Sequence, residues 1–165
     1  DTSVHENPTA EQLTEIAISS ARVVRLFGFD PKVAFVSHST FGQPATNNTK
    51  HIRDAVEILQ DKKVDFQFDG DMQPDVALNE EYKELYSFSG IVGNANILIM
   101  PNQHSAAISY KMIKSLGEAK VIGPLLIGLG QPIEIAPLRS STSDILNLAS
   151  VAAYSAGVIN YGKKN

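Results

Sequence analysis

A hydroxyl-rich segment follows a short apolar run in the first quarter of this sequence. Ser37-His38-Ser39-Thr40 comes directly after Val33–Val36, and Gly42 closes the segment. Such a loop can offer hydroxyl and backbone N–H groups to an anion, and the glycine lets the backbone approach it closely. The same hydroxyls could instead cap the following helix. The spacing leaves both alternatives open, since no compact phosphate-loop pattern is present.

An acidic segment further along has the spacing of a calcium-binding loop. Its oxygen-bearing side chains occupy positions 1, 3, 5, 7 and 12 of an EF-hand loop: Asp69, Asp71, Gln73, Asp75 and Glu80. Position 6 must be a glycine, but here it is Pro74, which cannot adopt the positive φ required. We therefore expect no metal site, only an acidic loop where a strand ends.

A second place for an anion is the start of a later helix. Pro101-Asn102 precedes this helix, and His104 lies in its first turn, where backbone N–H groups favour negative charge. Lysines nearby could add charge, although helix lysines are usually only solvated. His38 and Asp144 could pair as a base and its partner, but nothing in the sequence brings them together. From the residues alone, catalysis is unproven.

Composition limits the class of protein. The chain has 165 residues, a net charge of −4 and no cysteine, so it has neither disulfides nor a thiolate metal site. An acidic balance argues against a nucleic-acid surface, and no apolar run approaches the ~20 residues needed to cross a bilayer. We expect a cytoplasmic protein. The absence of an initiator Met suggests a fragment of a longer chain.

Alternating helices and short apolar strands position these groups. A capping box at Thr9 and Gln12 starts an amphipathic helix that ends before Gly28. A second helix, capped by Asn48 or Thr49, is expected to run through Gln60. Later helices are expected at Asp75 to Tyr86, Ser105 to Leu116 and Ser141 to about Asn160. The inward face of the Ser105–Leu116 helix is expected to carry Ile108, Met112, Ile113 and Leu116.

The strands are expected to form one mostly parallel sheet with helices on both faces. They lie at residues 32–36, 64–68, 97–100 and 133–135, with a further apolar stretch at 121–129. Right-handed crossovers would place the loops after the strands along one edge. That edge is expected to collect Ser37–Gly42, Asp69–Asp75, Pro101–His104 and Gly123–Pro124.

The chain resembles the second half of the phosphate acetyltransferase domain along nearly its whole length. The matching segments are Asn7–Leu13, Ser37–Gly42, Asp69–Leu78, Gly93–Asn102, Ile108–Lys111, Ile122–Gly128 and Asp144–Asn147. The resemblance implies a three-layer α/β/α sandwich, like that of phosphotransacetylases and isocitrate/isopropylmalate dehydrogenases. Residues 1–165 would then be the C-terminal part of such a domain.

Within the family, the closer resemblance is to the non-catalytic copy fused behind bacterial NADP-dependent malic enzymes. Ser37–Gly42 resembles that version, whereas the transferases more often carry Tyr and Lys where His38 and Phe41 stand. Another departure is Ala107, where the family often has Asn. The absent N-terminal part would then oxidise and decarboxylate malate with NADP and Mg or Mn.

The family's catalytic residues are only partly present. Transferases resemble one another by a Ser-Arg pair and an Asp six residues after the Arg, taken as base for the coenzyme A thiol. Arg and Ser stabilise the charge on the attacked carbonyl. Aligned without a gap, Pro137 and Leu138 replace the pair, and only Asp144 survives. A one-residue slip would let Arg139 stand in for the Arg. Losing one such donor costs ~10²–10³ in rate, so the resemblance implies no turnover.

The resemblance implies a regulatory, oligomerising domain that senses acetyl-CoA or a related acyl-CoA, with no cofactor of its own. The expected partners are further copies and the malic enzyme domains of the same chain, without nucleic acid or membrane. The expected ligand-binding residues are Ser37, Ser39, Thr40, Gly42, Pro101, Asn102, Gly123, Pro124, Leu125 and Arg139. The alternatives are an active phosphate acetyltransferase and a purely structural module.

Overall fold

A computed structural model of the chain describes residues 1–44, 46–117 and 120–162. The chain divides into two compact units, Asp1–Tyr110 and Lys111–Asn165. The helices are α1 (Ala10–Leu26), α2 (Lys50–Lys62), α3 (Pro74–Leu78), α4 (Glu80–Lys83), α5 (Gln103–Leu116) and α6 (Thr142–Gly162). Short 3₁₀ turns lie at Asn47–Thr49 and Glu84–Tyr86. The strands are β1 (Lys32–Val36), β2 (Gln67–Met72) and β3 (Ile97–Ile99).

The first helix begins and ends where its sequence signals predict. Thr9 Oγ1 accepts from the Gln12 backbone N–H, and the Gln12 side chain accepts in return from the Thr9 backbone N–H. Gly28 follows the helix with a φ of +84°, in the left-handed region that favours glycine. The predicted capping box and terminal glycine are therefore both confirmed.

The sheet of the first unit is parallel, with β1 at its centre in the order β2-β1-β3. Side chains of β1 alternate between the faces. Val33 and Phe35 pack with α1 and α2, whereas Ala34 and Val36 pack with the buried residues of α3 and of the segment before β3. This gives helix, sheet and helix in three layers. The predicted α/β sandwich with a parallel sheet is confirmed.

The strand after α2 begins later in the chain than the apolar residues of the sequence predict. We predicted a strand at Val64–Phe68 and an acidic loop after it, but β2 runs from Gln67 to Met72. Asp69 and Asp71 are therefore strand residues. Their low strand propensity is overridden because backbone pairing with the central strand and specific carboxylate partners stabilise them there.

Other predicted elements differ from the structure. The single helix predicted from Asp75 to Tyr86 is interrupted at Asn79, which is extended and caps α4 by accepting from the Glu81 backbone N–H. No strand forms in the described residues at 121–129 or 133–135, so the prediction of at least four strands is wrong. An apolar run predicts burial, but a strand also needs a paired neighbour.

The expected inward face of α5 is exposed in this chain. Ile108, Met112 and Ile113 are each more than half exposed, and Leu116 is 81% exposed. Of the described residues of α5, only Ala106 is buried. Helical periodicity identifies an apolar face but does not identify what covers it.

The second unit contains α6, whose start is also marked by a capping box. The Ser141 hydroxyl accepts from the Asp144 backbone N–H, and the Asp144 carboxylate accepts from Ser141. This confirms the predicted start, and the helix extends to Gly162, two residues beyond the predicted end. Among the described helices, none combines the length and the apolar character that a membrane crossing requires.

Candidate functional site

A buried carboxylate lies where β1 and β2 end. Phe35 pairs with Gly70 and Val36 pairs with Met72, so Asp71 is one extra residue in β2. Such a bulge redirects a side chain and often lies beside functional sites. Asp71 is fully buried, and an ionised carboxylate is stable there only with close polar partners.

Those partners come from the loop after β1 and from α2. The Ser39 hydroxyl donates to Asp71 Oδ2, and the Gly42 backbone N–H donates to Asp71 Oδ1 at 3.0 Å. The guanidinium of Arg53 lies 3.5 Å from Asp71 Oδ2. The carboxylate therefore fixes the loop on one side and pairs with α2 on the other.

The hydroxyls of the loop are used inside it. Ser37 Oγ lies 3.0 Å from Ser39 Oγ and accepts from the Ser39 backbone N–H. Thr40 Oγ1 accepts from the Gln73 backbone N–H at 3.2 Å. All three hydroxyl residues are buried. The alternative that they cap α2 is wrong, since Thr49 occupies the N-cap position.

Arg53, on α2, was not predicted from the sequence to belong to a site. Its Nη1 donates to Thr49 Oγ1 at 2.6 Å and its Nη2 to the Thr46 carbonyl at 3.4 Å, which aims the guanidinium at Asp71. Thr49 makes no side-chain cap of its own helix. The only signal in the sequence was the four-residue spacing between Thr49 and Arg53, which puts both on one helix face.

An aromatic cleft of about 500 Å³ opens beside the same loop. The rings of Phe41, Tyr86 and Phe88 contact one another, with centroids 4.8–6.1 Å apart. We did not predict this cleft from the sequence; the available signal was the spacing of Tyr82, Tyr86 and Phe88. The cleft is lined by Thr40, Phe41, Gln43, Gln73, Asp75, Val76, Tyr82, Leu85, Tyr86 and Phe88.

The predicted residues before α5 cap that helix. Asn102 Oδ1 accepts from the Ser105 backbone N–H at 2.9 Å and from the Ser105 hydroxyl at 3.0 Å. The Pro101 carbonyl lies 3.4 Å from His51 Nε2. The Gln103 backbone N–H donates to the Glu6 carbonyl. Two N–H groups of the first turn thus already have partners within the protein.

The remaining predicted residues belong to the second unit. Gly123 has a φ of +132°, and a side chain there would come within 3.1 Å of the Leu125 nitrogen, so the turn through Pro124 requires a glycine. Arg139 is exposed. Among the described residues no ion pair joins Arg139 to Asp144. Within the first unit, Ser39 and Gly42 contact the Asp71 carboxylate directly, and Ser37 contacts Ser39. Thr40 lies in the same loop and accepts from Gln73.

The electrostatics of Asp144 are set by its own helix cap. Oδ2 accepts from the Ser141 backbone N–H at 2.9 Å and from its hydroxyl at 2.8 Å. These bonds lower the pKa of the Asp144 carboxyl, and the charges of Lys114 and Lys120 lower it further. Hydrogen bonds to the charged form stabilise it. Asp144 is therefore a weaker proton acceptor than an ordinary aspartate.

Comparison with a family model decides the relationship of the chain. Residues 1–153 match the family described as "Phosphate acetyl/butaryl transferase". The chain belongs to this family. The expected relationship to phosphate acetyltransferase domains is confirmed.

Relatives within the family include proteins of two kinds. The chain is 47% identical over 157 residues to an NADP-dependent malic enzyme of Rhizobium meliloti, which covers 95% of this chain and 21% of that enzyme. It is 35% identical to a phosphate acetyltransferase of Clostridium acetobutylicum, covering 94% of this chain and 47% of that protein. The chain thus spans about a fifth of the first relative and about half of the second.

A solved structure supports the same fold. A phosphotransacetylase from Streptococcus pyogenes superposes with a TM-score of 0.88 and 35% identity, over 94% of this chain and 48% of that one. The α/β architecture is therefore the phosphotransacetylase architecture.

Proposed function

We propose that this chain is a regulatory and oligomerising domain of an NADP-dependent malic enzyme, that it binds acetyl-CoA, and that it does not transfer the acetyl group. Malate oxidation with NADP and a divalent metal would belong to other domains of the same protein. The 47% identity to a malic enzyme, against 35% to a transferase, supports this assignment. Among the described residues, no cluster of three His, Cys, Asp or Glu side chains could hold a metal ion.

The observation that carries the proposal is the state of the family's catalytic positions. Pro137 and Leu138 stand where the resemblance expects Ser and Arg, and neither side chain can donate a hydrogen bond to an oxyanion. The Leu138 side chain is fully exposed. A negative charge developing on an acyl oxygen would find no preorganised partner from this pair.

The retained aspartate is also poorly suited to its family role. A base for a thiol works best when its pKa lies near the operating pH. The bonds from Ser141 move the pKa of Asp144 in the opposite direction, below its ordinary value. In this proposal the Asp144 carboxylate caps α6 and removes no proton.

Acetyl-CoA would be held mainly by charge. Arg139 is exposed, and Lys114 and Lys120 act on Asp144 from the same unit, so cations are available for the phosphates. Ser37, Ser39, Thr40, Gly42, Pro101, Asn102 and Gly123–Leu125 are proposed to shape the binding region. The Ser37, Ser39 and Thr40 hydroxyls and the Gly42 N–H already have hydrogen-bond partners within the protein. We therefore assign these groups to loop shape rather than to direct phosphate contacts.

Regulation would follow if acetyl-CoA binds one arrangement of the assembly more tightly than another. Calorimetry of the full-length protein with acetyl-CoA tests this function. Saturable binding that changes the rate of malate oxidation supports it. Absence of binding heat at millimolar acetyl-CoA would favour a purely structural module. The exposed apolar face of α5 is the observation that supports this alternative.

An active phosphate acetyltransferase is the second candidate. It is favoured by the family match over residues 1–153 and by the retention of Asp144. Formation of acetyl phosphate from acetyl-CoA and phosphate separates the two functions.

A further inference from the structure

The aromatic cleft beside the loop after β1 shares Thr40 with the binding region proposed above, but its aromatic residues have no role there. It lies entirely within the first unit, between the loop at Thr40–Gln43 and the segment from Gln73 to Phe88. Its volume of about 500 Å³ falls in the range of small-molecule sites, which are mainly apolar with a few polar groups.

Large aromatic side chains of the cleft remain in contact with water. Phe88 is 69% exposed and Tyr82 is 44% exposed. Phe88 packs edge-on against Phe41 and Tyr86, with interplanar angles of 63° and 88°. Edge-on packing uses the edge of one ring and leaves ring faces available for a further stacked ring.

Phe41 is held at the cleft in a costly backbone conformation. Its φ is +48°, which is rare for a bulky side chain. The Phe41 backbone N–H donates to the Asp71 carbonyl at 2.6 Å, and the next residue, Gly42, donates to the Asp71 carboxylate. Residues kept in sparsely populated conformations by their surroundings cluster at ligand clamps.

Gln73 and Asp75 are two polar residues of the cleft that can accept hydrogen bonds from a ligand. Gln73 Nε2 already donates to the His38 carbonyl at 2.9 Å, so Gln73 offers its Oε1. Asp75 contributes a carboxylate. Among the described residues that line the cleft there is no Lys, Arg or His.

We propose that this cleft binds a planar heteroaromatic ring that carries an amino group, as in a purine nucleoside. The ring stacks on Phe88 and its neighbours, and the amino group donates to Asp75 or Gln73. Free nucleosides and the adenine end of coenzyme A share this chemistry.

Calorimetry of the 165-residue chain with adenosine tests the proposal. Adenosine is expected to bind, and Phe88→Ala is expected to weaken binding about fivefold or more, the loss typical of one base–aromatic stack. Phe29→Ala is the matched control, because Phe29 is 65% exposed and does not line the cleft. Asp75→Asn is expected to weaken the binding of adenosine more than the binding of inosine, because inosine lacks the amino group.

Adenosine contains neither phosphate nor thioester, so its binding is independent of the proposed function. If saturating acetyl-CoA abolishes the heat of adenosine binding, the natural ligand of the cleft is the adenine end of coenzyme A. If that heat is unchanged, the natural ligand is a free nucleoside. No adenosine binding up to about 10 mM, or equal affinity in Phe88→Ala and Phe29→Ala, overturns the inference. The inference is also overturned if the chain binds tetramethylammonium but not adenosine, since the aromatic rings would then form a cation-binding site.

Discussion

The hydroxyl of Ser39 donates a hydrogen bond to the fully buried carboxylate of Asp71. Ser39 lies in the loop after β1, whereas Asp71 lies within the neighbouring parallel strand β2, where a bulge turns the carboxylate toward that loop. This bond, with the Gly42 N–H and the Arg53 guanidinium, determines the shape of the hydroxyl-rich loop. The loop is thus built around a buried carboxyl group.

Replacement of that carboxylate should destabilise the first unit strongly. Asp71→Ala leaves the Ser39 hydroxyl, the Gly42 N–H and the Arg53 guanidinium without their buried acceptor, a loss of about 3 kcal/mol in the free energy of unfolding. Urea denaturation measures it. The control is Asp65→Ala, which removes an exposed carboxylate paired with Arg25 and should cost at most about 1 kcal/mol. Equal losses in the two variants would refute a structural role for Asp71.

The glycine before Asp71 allows the close approach of β2 to β1. A side chain at Gly70 would lie 2.7 Å from Phe35 Cβ and 2.8 Å from the Phe35 carbonyl oxygen, and Phe35 is fully buried in the central strand. We expect Gly70→Ala to lower the free energy of unfolding by about 1–3 kcal/mol. Gly130→Ala serves as the control, because nothing lies within 4 Å of its added carbon. A Gly70→Ala protein as stable as that control would show that the strands can separate without cost.

Local patterns predicted the elements whose signals are contained in a few neighbouring residues. The capping box at Thr9, the helix start at Ser141, the central strand at Lys32–Val36 and the terminal glycine at Gly28 were all identified in this way. Each depends on contacts within one helical turn or on a continuous apolar run.

Features that depend on distant partners were not predicted. Asp71 is stable in β2 because Ser39 and Arg53 reach it from positions 32 and 18 residues earlier in the chain, and no local pattern indicates that pairing. The same limit explains the exposed face of α5 and the apolar segments at 121–129 and 133–135. Periodicity indicates which side chains form an apolar face, whereas the residues that bury this face are determined by tertiary packing.

Removal of the Ser141 hydroxyl should raise the pKa of Asp144 toward its ordinary value. The backbone N–H and hydroxyl of Ser141 are the main causes of the lowered pKa, and Ser141→Ala removes the second. A carboxyl with a lowered pKa in the folded state stabilises that state above its unfolded pKa, and the contribution disappears as the pH falls through the folded pKa. As the pH falls below about 4, the Ser141→Ala variant should therefore lose less of its stability than the unsubstituted chain loses.

Carboxyl carbon NMR titration of Asp144 measures this change. Ser150→Ala is the control, since the Ser150 hydroxyl donates to the Leu146 carbonyl within the same helix. A pKa of Asp144 that is unchanged in Ser141→Ala would mean that the cap does not set its proton affinity.

The exposed Arg139 should contribute to the affinity for acetyl-CoA. A guanidinium that binds phosphate makes charge-assisted hydrogen bonds, so Arg139→Ala should weaken binding about tenfold, with a smaller loss at high salt because exposed charges are screened. Calorimetry of the full-length protein measures the affinity. Arg22→Ala, an equal charge change on the exposed side of α1, should leave it unaltered. Equal affinities in both variants would exclude Arg139 from the site.

The central claim is that an acyl-CoA can be held here without being cleaved, because Pro137 and Leu138 cannot stabilise an oxyanion and Asp144 caps α6. Formation of acetyl phosphate from acetyl-CoA and phosphate by the full-length protein tests it most directly, with the phosphate acetyltransferase of Clostridium acetobutylicum as the positive control. The account predicts no turnover above background. Turnover that disappears in Asp144→Asn would contradict it.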